Sequence, residues 1–148
     1  MLSSTTTIQE IGLDGYQVVR SQYFSRMNEP TMTLWYSAVG FSAAAHEALN
    51  NCECIQLMVN EKQKCIIIKA VNSTEPEAVA WNKAKSKSSR LECSAFTRQL
   101  YESWGLDSEV RFRTCGMIVQ CKKEIMLLFN FQHPESWRGQ KLVKGHGK

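Results

Sequence analysis

The sequence lacks two features that would direct a protein out of the cytoplasm. No run approaches the ~20 apolar residues that a membrane-spanning helix needs. The start, MLSSTTTIQEIGLDGY, has neither the basic flank nor the apolar core of a secretory signal peptide. We therefore expect a cytoplasmic protein that has no membrane partner.

Common catalytic motifs are also missing. The chain has no G-x-G-x-x-G or G-x-x-x-x-G-K-S/T loop to hold a nucleotide, no G-x-S-x-G nucleophile turn, and no pair of carboxylates isolated in an apolar run. His46 lies in an alanine-rich segment, where a surface or packed histidine is expected, and His133 has no fixed partner for proton transfer. Only Cys93, near Arg90, has a neighbour that would stabilise a thiolate. The sequence therefore predicts no enzyme.

The six cysteines do not form a recognisable metal site. The closest pair, Cys52 and Cys54, has no second C-x-x-C or histidine pair to complete a tetrahedral zinc site. Five of the six lie inside or beside apolar, strand-like runs, which favours reduced, mostly buried thiols over a disulfide framework. We expect neither a metal nor a cofactor.

The chain has an ordinary globular composition with an uneven distribution of charge. Its 148 residues are 43% apolar and 22% charged, so we expect a single folded domain over residues 1–148. The net charge is +4, but the segment 82–90, NKAKSKSSR, contains no acid and carries Lys83, Lys85, Lys87 and Arg90. The tail 138–148 also lacks acidic residues and is basic. Clustered charge of one sign attracts a polyanion even when the total is small.

Hydrophobic patterns in the first half predict two hairpins around a helix. Segments 16–24 and 31–41 are rich in aromatic and β-branched residues, which favours a first pair of strands. A short helix is predicted over 42–50, with Ser42 as its N-cap. A hairpin follows at 54–59 and 65–71, where three successive isoleucines favour a strand covered on both faces. Residues 72–81 fit either a helical turn or a strand.

The second half repeats this order after the basic connector 82–90. We predict a short strand at 91–93, a helix at 94–105 that ends at Gly105, and strands at 109–114, 117–121 and 124–131. In the strand 109–114, alternation places Arg111 and Arg113 on the same face.

Superposing Ser42-Ala43 on Ser94-Ala95 aligns the two predicted helices and brings the apolar hairpins into the same order. This pattern indicates pseudo-repeats at about 31–71 and 90–131. We predict an α+β fold that is mainly β, in which two strand–helix–hairpin units interlock in one β-barrel-like domain.

The repeated unit resembles the swapped-hairpin β-barrel of AbrB-, SpoVT- and MraZ-type bacterial DNA-binding proteins. The clearest stretch is RLECSAFTRQLYESWGLDSEVRFR, in which Arg90 stands where that family places a basic residue before its first strand and Arg98 falls within its helix. The resemblance implies DNA contacts around the strand-to-helix loops. The whole chain also resembles short proteins of phage and integrative elements in Gram-positive bacteria, loosely labelled integrase. Neither His46 nor His133 has the arginine three places on that a tyrosine recombinase requires.

These features predict a non-enzymatic DNA-binding accessory or regulatory protein of a mobile element. Four aromatic residues lie near the basic stretches: Trp81, Trp104, Phe112 and Trp137. Such residues would stack on unpaired bases unless they belong to the core. We expect Trp104 to be a core residue. The predicted nucleic-acid contacts are Lys83, Lys85, Lys87, Arg90, Arg98, Arg111 and Arg113. The alternative is a protein–protein interaction module on the same barrel, with a second copy or another protein as its partner. A hydrolase or recombinase would need a cluster of His, Cys or carboxylate groups that the linear sequence hides.

Overall fold

A computed structural model describes residues 8–19, 29–81, 89–139 and 141–144, and this part of the chain is mainly β. Two short helices accompany the strands: α1 is Ala43–Ala48 and α2 is Ser94–Trp104. The strands in the first half are β1 Thr31–Leu34, β2 Ala38–Phe41, β3 Cys54–Asn60, β4 Cys65–Val71 and β5 Val79–Ala80. Those in the second half are β6 Ser89–Glu92, β7 Val110–Cys121, β8 Glu124–Asn130, β9 Glu135–Arg138 and β10 Lys141–Lys144. Neither described helix is long and apolar enough to cross a membrane.

The strands form one curled antiparallel sheet with the order β5-β3-β4-β8-β7-β1-β2-β6. The long strand β7 lies in the middle of this order and joins the two halves of the sheet, because its first half pairs with β1 and β9 while its second half pairs with β8. Apolar side chains from the inner face of the curl make the core, which includes Met32, Leu34, Ile55, Ile66, Ile68, Trp81, Leu127 and Phe129. The expectation of a mainly β fold is confirmed.

The two helices form where the sequence supplies capping residues and an apolar face. The hydroxyl of Ser42 accepts the N–H of Ala45 at 3.3 Å, as predicted for the cap of α1. Helix α2 buries Leu100, Tyr101 and Trp104 against the sheet, and it ends at Gly105 in the left-handed conformation that favours glycine. The predicted helices are therefore confirmed.

Strands in equivalent places of the two predicted units pair with each other. Strand β2, which precedes α1, pairs with β6, which precedes α2. Val39 lies opposite Leu91 in this pair, and superposing Ser42 on Ser94 brings the same two residues into alignment. Likewise β4 and β8, the second strands of the two apolar hairpins, pair with each other.

The first predicted strand pair is wrong over the residues that the structure describes. Residues 16–19 are not in a strand, and residues 20–24 lie outside the described part of the chain. Instead the segment 31–41 supplies both β1 and β2, because the backbone turns after Trp35, whose N–H donates to the carbonyl of Ala38 at 2.8 Å.

Three further predictions need correction. The segments predicted as separate strands, 109–114 and 117–121, are one continuous strand, because Gly116 continues the ladder and the ring of Phe129 packs against it. The sequence predicts no strand after residue 131 and a basic tail at 138–148, but the structure has strand β9 at Glu135–Arg138 and strand β10 at Lys141–Lys144. The isoleucine run is not covered on both faces, since Ile66 and Ile68 are buried while Ile67 is partly exposed. In the ambiguous segment 72–81, turns precede the short strand β5.

Candidate nucleic-acid interface

Four of the seven predicted contact residues lie in the described part of the chain, and each holds its guanidinium over an aromatic ring. They are Arg90, Arg98, Arg111 and Arg113. The other three, Lys83, Lys85 and Lys87, lie outside the described residues.

Arg90 projects from β6, an end strand of the sheet path, onto the indole of Trp35. Its guanidinium carbon is 4.5 Å from the ring centroid. Trp35 directly follows β1, and the short strand β2 lies between β1 and β6. The residue of β2 that lies opposite Arg90 is Gly40. Arg90 is exposed and Trp35 is half-buried, so the charge reaches solvent while the ring fixes its position.

Arg111 and Arg113 share a second indole, that of Trp137 on β9. Their guanidinium carbons are 5.4 Å and 4.6 Å from its centroid. The β7–β9 register places Arg111 directly opposite Trp137, and Arg113 lies two residues along the same face. The prediction that the two arginines point the same way is confirmed.

Strand register places these two clusters on one face of the sheet. Arg90 lies opposite Gly40, Gly40 opposite Thr33, and Thr33 opposite Arg113, and directly opposed residues of an antiparallel sheet point to the same side. Three strand spacings of about 4.8 Å separate β6 from β7, which is ~14 Å. We refer to Trp35, Arg90, Arg111, Arg113 and Trp137 as the arginine–aromatic face.

Arg98 lies beside this face and not on it. It is exposed on α2, and its guanidinium carbon is 5.1 Å from the ring centroid of Tyr36, which is 38% exposed. Because Tyr36 follows Trp35 in the turn between β1 and β2, Arg98 adds a fourth positive charge at the border of the arginine–aromatic face.

The three arginines of the face differ in how much of their charge is already balanced. Arg113 pairs with Glu135 at 3.2 Å, and that glutamate is only 3% exposed. Its second carboxylate oxygen is buried and has no hydrogen-bond partner in the described part of the chain. Within the described ranges, neither Arg90 nor Arg111 forms a salt bridge. Arg90 and Arg111 are therefore the charges most available to an anion, and Arg113 is anchored.

Arg138, counted in the basic tail by sequence, is instead neutralised. It lies on β9, and its guanidinium is 2.6 Å from Asp107 and 3.9 Å from Glu109. A hydrogen bond from the backbone N–H of Glu109 and another from Arg138 lower the pKa of the Asp107 carboxyl. Arg138 thus contributes less positive field than its place in the sequence indicates.

Only one of the four aromatic residues proposed to stack on bases reaches the face. Trp81 is fully buried and donates its indole N–H to the carbonyl of Cys52 at 2.8 Å, and Trp104 is 7% exposed, as expected of a core residue. Phe112 is half-buried and packs its ring at an angle to that of Tyr101. Trp137 belongs to the face. The sequence reasoning missed Trp35 and Tyr36, although both are aromatic residues within a predicted strand.

Two of the residues considered for catalysis, Cys93 and His46, pack against neighbouring groups, whereas His133 is exposed. Burial raises the pKa of the Cys93 thiol, which opposes the thiolate that a nucleophile needs, and its Sγ lies 3.4 Å from the carbonyl of Leu91. His46 is buried with its ring stacked 3.9 Å from that of Trp81. The described part of the chain contains no group of three or more His, Cys, Asp or Glu side chains placed to hold a metal ion. The six cysteines, all within the described ranges, form no disulfide there; Cys54 is buried, Cys121 is exposed, and the other four are half-buried.

No protein-family model, curated protein or solved structure matches the chain. Its function must therefore be inferred from the geometry of the arginine–aromatic face.

Proposed function

We propose that the chain is a non-enzymatic DNA-binding protein, an accessory or regulator of a mobile element, that holds the phosphate backbone on its arginine–aromatic face. The observation that supports this proposal is that Arg90, Arg111 and Arg113 lie on one side of one sheet, each stacked on an indole.

A stacked arginine is well suited to bind a phosphate. The indole occupies one face of the planar guanidinium, while the N–H groups at its edge can still donate to two phosphate oxygens. Because the ring restricts the side chain before DNA arrives, less conformational entropy is lost on binding. Phosphates follow one another at about 3.4 Å of helix axis on each strand, so the ~14 Å between β6 and β7 corresponds to roughly four phosphates.

Such contacts give affinity without sequence preference. Arginines that meet phosphate set the position of a protein on DNA but carry no sequence information. The connector lysines Lys83, Lys85 and Lys87 precede Arg90 in the sequence, and the proposal counts them among the phosphate contacts. We therefore expect binding that weakens steeply with salt.

We further propose that the fold consists of two interlocked units of the swapped-hairpin type, which arose by duplication. Two pairings between equivalent strands, β2 with β6 and β4 with β8, are what such a duplication produces. In this arrangement the connector 82–90 joins the two units, and Arg90 lies at the start of the second.

A protein–protein interface is the second candidate for the same face. Tryptophan, tyrosine and arginine are enriched in interface cores, and the described face and its border consist of these residue types. In that case Arg113 would serve mainly to satisfy the buried Glu135, and the chain would bind no nucleic acid.

Fluorescence anisotropy with labelled duplex and single-stranded DNA at two salt concentrations separates the two candidates. The proposal predicts binding at low salt that weakens strongly at high salt, and it is wrong if neither DNA binds at low salt. Replacing Lys83, Lys85 and Lys87 together by Gln tests the connector. Unchanged affinity in that variant would place the contacts on the arginines alone.

A further inference from the structure

The outer face of the sheet carries an uncovered row of apolar side chains across four strands. Met58 on β3 lies opposite Ile67 on β4, Ile67 lies opposite Leu128 on β8, and Leu128 lies opposite Met117 on β7. The alternate positions Ile66, Ile68 and Leu127 point inward and are fully buried. We refer to Met58, Ile67, Leu128 and Met117 as the outer apolar row.

Solvent reaches every member of this row. Met58 is 38% exposed and Met117 is 63% exposed, and both Ile67 and Leu128 are half-buried. A contiguous apolar patch of this kind on a soluble protein marks an interaction site, whereas scattered single residues do not.

A second set of exposed apolar side chains lies in residues 8–19, which we refer to as the arm. The arm contains six large apolar residues whose exposure ranges from 59% to 96%: Ile8, Ile11, Leu13, Tyr16, Val18 and Val19. It folds only into a local turn, in which the N–H of Tyr16 donates to the carbonyl of Leu13 at 3.1 Å and Gly15 takes a positive φ. The arm therefore does not bury its apolar side chains against its own chain.

The charges of the arm complement those around the row. The arm carries Glu10 and Asp14 and no basic residue. The turns of the two hairpins that hold the row, 61–64 and 122–123, together carry four lysines and one glutamate. About twelve extended residues reach up to ~40 Å, so the arm can cross the ~14 Å that separates β3 from β7.

We propose that the chain forms a homodimer in which the arm of each copy lies across the outer apolar row of the other. We assign a second copy as the occupant because its arm supplies an apolar segment long enough to cover the row. The arm also supplies acidic residues that complement the lysines of the two turns beside the row. Reciprocal exchange of two identical contacts also closes the assembly at two chains. This inference does not depend on DNA binding.

Analytical ultracentrifugation without nucleic acid tests the proposal. The full chain of 16.9 kDa should sediment at twice that mass as its concentration is raised. Met117→Glu should weaken the dimer by about tenfold or more in dissociation constant, because it places a charge under the arm. The matched control is Ile118→Glu, at an adjacent site that is 59% exposed and points to the opposite face of β7, and this variant should remain dimeric.

A substitution in the arm distinguishes loss of the dimer from misfolding of the sheet. Leu13→Asp alters an exposed residue outside every described strand. At a protein concentration low enough for both chains to be monomeric, it should therefore leave the urea unfolding curve unchanged, while it weakens the dimer by a similar factor. Three results would overturn the proposal: a full chain that stays monomeric at all concentrations, equal loss of dimer in Met117→Glu and Ile118→Glu, or a dimer that persists after deletion of residues 1–19.

Discussion

The guanidinium of Arg113 lies 3.2 Å from a carboxylate oxygen of Glu135, a residue only 3% exposed to solvent. Removing the arginine would leave a buried negative charge with no other cationic partner among the described residues. We expect Arg113→Gln to lower the free energy of unfolding by about 2 kcal/mol, a value reduced from that of a fully buried pair because Arg113 is partly exposed. Urea unfolding measures this change. Arg111→Gln on the same strand face is the control and should stay within about 0.5 kcal/mol of wild type; equal losses in both variants would contradict the assigned role.

The hydroxyl of Tyr101 fastens α2 to the sheet. It lies 2.6 Å from the carbonyl oxygen of Val110 and 3.0 Å from that of Leu34, in a fully buried position. Burial raises the pKa of this phenol above its ordinary value, so it remains protonated and can donate. Tyr101→Phe should cost about 1 kcal/mol in urea unfolding, because a buried carbonyl loses its donor. Tyr36→Phe, at an exposed ring, should cost clearly less, and the reverse order would show that the Tyr101 hydroxyl is not a fastening point.

Gly116 is required because the ring of Phe129 occupies the space where a side chain would begin. A Cβ built there meets Cε1 of Phe129 at 2.6 Å, and that ring is fully buried. Gly116→Ala should therefore destabilise the fold by about 1 to 3 kcal/mol through overpacking. Gly12→Ala is a matched control, since a Cβ at Gly12 would meet no atom of the described residues within 4 Å. A Gly116→Ala chain as stable as Gly12→Ala would mean that the sheet shifts freely at this point.

Burial of His46 should make stability depend on pH. Because burial lowers the pKa of His46 below its ordinary value of 6.5, the unfolded chain takes up this proton at a higher pH than the folded chain. The free energy of unfolding should fall as the pH drops below about 6.5, down to the pKa of the folded state. Urea unfolding across this window should show a weaker dependence in His46→Gln. A wild type whose pH dependence matches that of His46→Gln would refute this role.

The sequence predicts most reliably those elements whose signals are local. The hairpin β3–β4 was recognised because apolar runs flank a polar turn, and α2 was recognised from the spacing of Leu100 and Trp104 and from Gly105 at its end. The turn between β1 and β2 has no such signal, because Trp35 and Tyr36 are typical strand residues. The prediction therefore extended one strand through a turn that pairing with β7 and β6 stabilises.

The arginine–aromatic face could be predicted only in part, for a similar reason. Alternation within one strand was enough to place Arg111 and Arg113 together. Their approach to Trp137, and that of Arg90 to Trp35, depends on pairings between distant strands, which no local pattern encodes. Strand β9 was missed because its sequence, ESWR, has only one strongly strand-forming residue.

The salt dependence of DNA binding by an arginine variant tests the central proposal most directly. Arg90→Gln/Arg111→Gln removes from the face two charges that form no salt bridge with any residue the structure describes, whereas Arg138→Gln removes one that Asp107 already balances. If these arginines hold phosphates, the slope of log affinity against log salt concentration should become shallower by about 2 in the double variant and change little in Arg138→Gln. A double variant with the wild-type slope and affinity would contradict the proposal that DNA lies on this face.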